Sequence, residues 1–186
     1  MEPVNYEFLS HFEQHIETEL LKVCVSDGML PGTLLRSDDI DNRWKELAPE
    51  YMVDSVPQVQ HYPTVSVAWA AYLGAAVAHE WDCDWETFSK KPYKNYYGSH
   101  GYDDMDENII ENILGLRLDS EQAKKTEDII RKCGELCVTM IRREAIEPQS
   151  VMAFHVFARA CKVMFRVGAA IELSRLGYKY EKVALN

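Results

Sequence analysis

The sequence predicts an all-α fold: one helical bundle over residues 1–186. Three observations predict it. Apolar residues recur at helical spacing along the chain, strand-type alternation is missing, and glycine, proline and aspartate fall between the periodic segments. With 186 residues, 47% of them hydrophobic and 27% charged, the chain has the size and composition of one globular domain with a substantial core. About five long helices are expected, plus short ones.

The first helix is expected from about Val4 to Cys24, with Phe8, Phe12, Ile16, Leu20 and Val23 as its apolar stripe. Gly28, Pro31 and Gly32 interrupt it. Asp38, Asp39 and Asp41 suit the start of a short helix carrying Trp44 and Leu47, which Pro49 should disturb, leaving Tyr51–Pro63 irregular. Pro63 fits the first turn of the next helix, about Thr64 to Trp81. That helix is apolar all round, so both its faces should be covered. Its Ala70, Gly74 and Ala78 form a strip of small side chains that lets another helix approach closely, and Val65, Trp69, Tyr72 and Ala76 supply bulk on the other side. It is expected to be central in the bundle, together with the last helix near 149–176.

In VAHEWDCDWETF, residues 77–88, the buried helix should reach the surface and end, with a new one starting at Asp82 or Asp84 and the acids solvated or capping. By helical phase Cys83 is the most sheltered residue there, a packed thiol. A tyrosine-rich connection follows. Asp103 or Asp104 then caps a helix through Leu114, with Glu107 placed for a capping box, and Gly115 ends it. Asp119 opens the next helix, whose stripe is Ile129, Ile130, Cys133, Leu136, Cys137, Met140 and Ile141. Pro148 starts the last, which runs to about Leu176 before Gly177. No internal repeat or low-complexity tract divides the chain.

The net charge of −10 argues against nucleic acid, which needs a concentrated basic footprint. The longest apolar helix falls short of the roughly 20 residues a bilayer requires, so no membrane span is expected. Five cysteines without a C-x-x-C pair suggest free thiols in a reducing compartment, and the N-terminus carries no secretory pattern, so a cytoplasmic protein is expected.

Four groups of residues bear chemistry. On the last helix His155, Arg159, Lys162 and Arg166 form a basic row on an otherwise apolar surface. In so acidic a chain, carboxylates are its first expected partners; a small anion, closed over by Tyr96 and Tyr97 of the tyrosine connection, is the other ligand it suits. His11 and His15 stand one turn apart and could clip a metal with further donors. His79 and Glu80 are a second pair, although Cys83 stands where the H-E-x-x-H pattern needs its second histidine. Asp103 and Asp106 have a spacing that suits a divalent cation, but acids in a first helical turn need no metal to explain them. Glu172 shares its phase with core residues, so it needs a partner or a place at the core's edge. No serine elbow, phosphate loop or activated cysteine is present. The sequence therefore points first to a non-enzymatic module that binds a protein partner or itself. The alternatives are a divalent-metal-dependent helical hydrolase, with metal-bound water as nucleophile, and a small-anion-binding protein. Whether the chain is an enzyme is left open.

Overall fold

A computed structural model describes residues 3–179. Six helices follow in order: α1 (Tyr6–Ser26), α2 (Asp38–Ser55), α3 (Pro63–Phe88), α4 (Met105–Asn108), α5 (Glu121–Arg143) and α6 (Val151–Arg175). Among the described residues there is no strand, and the fold is an all-α bundle of five long helices and one short one.

The centre is the parallel pair α3 and α6. Gly74 sits against the Phe165 carbonyl and Gly168 against the Ala71 carbonyl, so each helix offers a glycine to the other's backbone. Ala70 and Ala78 flank Gly74 with almost no exposure, as the strip of small residues requires. Around this pair, α2 packs antiparallel to α3, with Tyr51 Oη donating to the Ser66 carbonyl (2.7 Å) near one end and Trp81 Nε1 donating to Asp39 (3.2 Å) near the other. Helix α5 also runs antiparallel to α3, its Gly134 facing Thr64 and Ala68. The C-terminal end of α1 meets α5, where the buried Cys24 and Cys133 sulfurs lie 3.8 Å apart.

Several boundaries differ from expectation for local reasons. Helix α1 buries Leu9 and Cys24, while Phe8 and Val23 are only partly covered. Helix α2 is not short: it runs through Pro49, which lies on the exposed side, where the carbonyl freed by the missing N–H can meet water. Asp104 stands at the N-cap of α4, but its side chain makes no capping bond. Its carboxylate accepts the His100 backbone N–H at 2.9 Å and the Ser99 hydroxyl at 2.9 Å, tightening the preceding turn instead. The four residues of α4 continue into a wider π turn at Ile109–Ile113, where Leu114 N–H reaches back to the Ile109 carbonyl. Ser120, not Asp119, caps α5 by accepting the Ala123 N–H, and Ser150 caps α6 through Ala153.

Helix α3 breaks where its acids begin. Asp84 leaves helical geometry (φ −162°, ψ 84°), and its carboxylate accepts the Thr87 N–H and hydroxyl, so the last turn restarts there. Two expectations for this stretch need correction. Cys83 is exposed, because the helix has already emerged. Glu80 is not solvated: it is 2% exposed, one turn short of the surface.

Candidate functional site

Four polar centres border the hydrophobic core, and in three of them the carboxylates are paired within the chain, although Arg166 Nε, Arg43 Nε and His79 Nδ1 are buried there without a hydrogen-bond partner among the described residues. The first joins α1 to α6. Glu13 accepts from Lys162 (3.0 Å), Arg159 (3.4 Å) and Arg166 (3.5 Å), while Arg166 also reaches Glu17 (3.1 Å) and Asp41 (3.8 Å). Burial acts to raise the Glu13 carboxyl, but the three cations outweigh it and hold the group below its usual range. The basic row thus faces carboxylates of its own chain. His155 lies at the head of the row between the rings of Tyr6 and Phe154.

The second centre explains the tyrosine connection. Tyr96 Oη donates to Glu80 Oε1 at 2.6 Å, and Lys91 Nζ donates to the other oxygen at 2.9 Å while lying 4.2 Å from the centre of the Tyr96 ring. Arg43, itself buried, donates to the Lys91 carbonyl and to Glu46. Tyr93 and Tyr97 both donate to Asp54, at 2.8 and 2.5 Å. These bonds fix the connection onto α2 and α3. Tyr96 and Tyr97 have their hydroxyls committed to carboxylates, a different use from closing over an anion. Arg43 and Asp54 carried no functional signal in the sequence, since each looks like an ordinary polar residue on the exposed side of α2.

At the far end of the central pair, Glu172 is 2% exposed and gripped by Arg175 at 2.6 and 3.1 Å. Burial raises its carboxyl to about 7 despite the guanidinium. His79 Nδ1 lies 4.0 Å from it, and burial followed by the Arg175 charge lowers the imidazole below its ordinary value. So His79 and Glu80, neighbours in sequence, serve opposite sides of α3. His11 and His15 are exposed on α1, Asp103 is exposed before α4, and Asp106 faces a groove described next. Among the described residues no three His, Cys, Asp or Glu side chains are grouped to hold a metal ion.

The fourth centre is open. Between α3, α4 and α5 runs a groove of about 710 Å³, within the size range of small-molecule sites. Trp69 and Tyr72 lie along it at right angles (85°), ring centres 5.5 Å apart. The Trp69 indole N–H is committed to the Tyr102 carbonyl at 2.9 Å. The Tyr72 ring is buried (the residue is 4% exposed), while its hydroxyl reaches the groove surface and bonds to no described residue. Three carboxylates share the groove: Asp106 and Glu107 from α4, Glu127 from α5. None of them has an ion-pair partner within 4.0 Å among the described residues, and Lys124 is the one cation near Glu127 that offsets them. Burial, and then the charge of Glu107, raises Asp106 to about 6; the same two causes raise Glu127. Burial raises the Tyr72 phenol as well, with the charges of Asp106 and Glu127 adding to it. Asp128 and Glu135, farther along, are neutralised by Arg131 at 2.6 and 3.2 Å. A smaller hollow of about 450 Å³ lies beside Gly115–Asp119, where Arg117 and Asp119 pair with each other and no aromatic ring is present.

The sequence placed Trp69 and Tyr72 in the core and Glu107 at a cap. The available signal was their spacing, two amphipathic rings three residues apart on the face opposite the small strip.

In comparisons with known proteins, no family model, no curated protein and no solved structure matches the chain. Among the described residues no helix is long and apolar enough to cross a membrane.

Proposed function

We propose that this protein is a ligand-binding helical bundle, and that its ligand is an organic cation held in the groove between α3, α4 and α5. The observation that carries this is the groove's lining: three carboxylates that no basic side chain pairs, gathered beside the Trp69 and Tyr72 rings and a Tyr72 hydroxyl that bonds to no described residue. Carboxylates crowded at a partly desolvated surface raise one another's proton affinity. An ammonium group answers that crowding: it donates to the carboxylates, can also donate to the phenol oxygen, and is attracted by the aromatic faces. The carboxylates are not grouped for a single metal ion, which favours a larger cation. The five free cysteines, four of them buried, support a cytoplasmic setting. Calorimetric titration with hexylammonium and with hexanoate tests the proposal. Saturable binding of the amine alone, weakened about tenfold or more in Tyr72→Phe and Glu127→Gln, is expected. Binding of hexanoate instead would return attention to the basic row.

A protein-interaction or self-association module is the second reading, favoured by a separate observation. Val53, in the last turn of α2, and Val56, Val59 and Tyr62, in the connection to α3, are all exposed within one short segment. Sedimentation of the wild type beside Val53→Ser/Val56→Ser checks it: a dimer lost in the double variant supports self-association, and a monomer at all concentrations removes it.

A further inference from the structure

The groove is not uniform along its length, and the gradient says more about the ligand than its charge. Because α3 and α5 are antiparallel, the groove can be followed from one end to the other by residue number. At the Tyr72 end stand Glu127 and Lys124 of α5 with Asp106 and Glu107 of α4, three acids against one base. At the other end Thr64 and Ala68 of α3 face Gly134, with Val65 and Ile130 beside them. The charge there is already matched, Arg131 pairing with Glu135 and reaching back to Asp128 beside Glu127. Trp69 lies between the two ends, one turn from Val65 and nearly one from Tyr72.

We infer that the ligand is an amphipathic monoamine, its ammonium at the Tyr72 end and its apolar body lying along Trp69 toward Val65 and Ile130. This rests on the cation-binding reading above and narrows it. A diamine or polyamine would carry its second ammonium into the end where Glu135 already has Arg131 as partner and Val65, Ala68 and Ile130 line the wall, so that charge would be desolvated without compensation. An inorganic cation would leave the apolar half unused. A monoamine with a hydrocarbon or aromatic body meets each part of the groove with its complement.

The test is a calorimetric series on the full chain with butyl-, hexyl- and octylammonium, octanol, octanoate, putrescine and spermidine. The expected result is affinity rising about fourfold per methylene from butyl to octyl, with octanol and octanoate at least tenfold weaker than octylammonium and both polyamines weaker than hexylammonium. In Val65→Asn, a change at a half-exposed position, the dependence on chain length should flatten while butylammonium binds as before. In Tyr72→Phe all three monoamines should weaken by a similar factor. Polyamines that bind as tightly as octylammonium, or a monoamine series with no length dependence, would overturn this inference and leave the cation-binding reading standing. If no amine binds, or if octanol binds as well as octylammonium, both fall. Thermal melting of each variant, matched to wild type, separates lost binding from lost folding.

Discussion

Tyr96 and Tyr72 are the same side chain under opposite conditions. Both rings are buried, but the Tyr96 hydroxyl donates a hydrogen bond to Glu80 at 2.6 Å, whereas the Tyr72 hydroxyl reaches the groove surface and bonds to no described residue. Tyr96→Phe takes a donor from a buried carboxylate and should cost about 1.5–3 kcal/mol, the range for hydrogen bonds to charged groups. Tyr72→Phe removes nothing the folded protein uses and should stay within about 0.5 kcal/mol of wild type; urea unfolding of the pair checks the contrast. Protonation offers a second comparison. Glu172 titrates near 7 when folded, against an ordinary value of 4.5. The folded state therefore holds a proton that the unfolded chain releases, so the stability contributed by protonated Glu172 is complete below about 4.5 and lost as pH rises through 7. His79 works the other way, since its lowered value costs stability as pH falls below 6.5. Comparing wild type with Glu172→Gln at each pH isolates the carboxyl. Wild type should lose stability relative to the variant between pH 4.5 and 7, by roughly 3 kcal/mol in total, and a pH-independent difference would contradict this. Asp106, raised to about 6, predicts that amine binding weakens as pH falls through that value, because the protonated carboxyl no longer attracts an ammonium.

Between elements, the decisive contact is the exchange of glycines at the α3–α6 crossing. A Cβ on Gly74 would overlap the Phe165 carbonyl, and one on Gly168 would overlap the Ala71 carbonyl; both obstacles are backbone, so only a shift of a whole helix relieves them. Gly74→Ala and Gly168→Ala should each cost about 3 kcal/mol. Gly134→Ala meets a side-chain methyl of Thr64 at 3.1 Å, an obstacle that can turn aside, and it gains helix propensity. It should change stability by less than about 1 kcal/mol. Equal losses at all three positions in chemical denaturation would refute the distinction. The strip Ala70–Gly74–Ala78 was legible in the sequence because close helix approach needs small residues on one face, but its partner Gly168 was not, since one glycine among Val167, Ala169 and Ala170 looks like ordinary core. The restart at Asp84 was likewise legible from its acids. Glu80 was misread because periodicity does not reveal that Tyr96 and Lys91, 16 and 11 residues away, fold back to receive it. The groove was hidden for a related reason. An apolar helix calls for cover on every side, and nothing in its own sequence says which neighbour is too short to supply it.

On the scale of the whole molecule, that neighbour is α4. The central pair α3 and α6 is enclosed by α1, α2 and α5, each of 18 residues or more, whereas α4 has four residues and a π turn. Cooperative stability should follow this arrangement, because local opening costs least where few apolar contacts hold a segment. Amide hydrogen exchange should be slowest in the buried stretches of α3 and α6, around Ala70–Ala78 and Ala160–Leu173. It should be fast in the connections before α2 and before α5, and intermediate in α4 despite the burial of Met105, Ile109 and Ile110. Asp106 and Glu107 are thus carried on the least secured wall of the groove, and closing them about an ammonium would secure it. Adding octylammonium should slow exchange selectively at Met105–Ile113 and in the first half of α5, and leave α1 unchanged, since α1 pairs with α6 and meets α5 only near Cys133, in its second half. Slowing spread evenly over all helices would mean that the amine stabilises the fold without using this wall. No change at α4 under saturating amine would mean that its carboxylates do not take part.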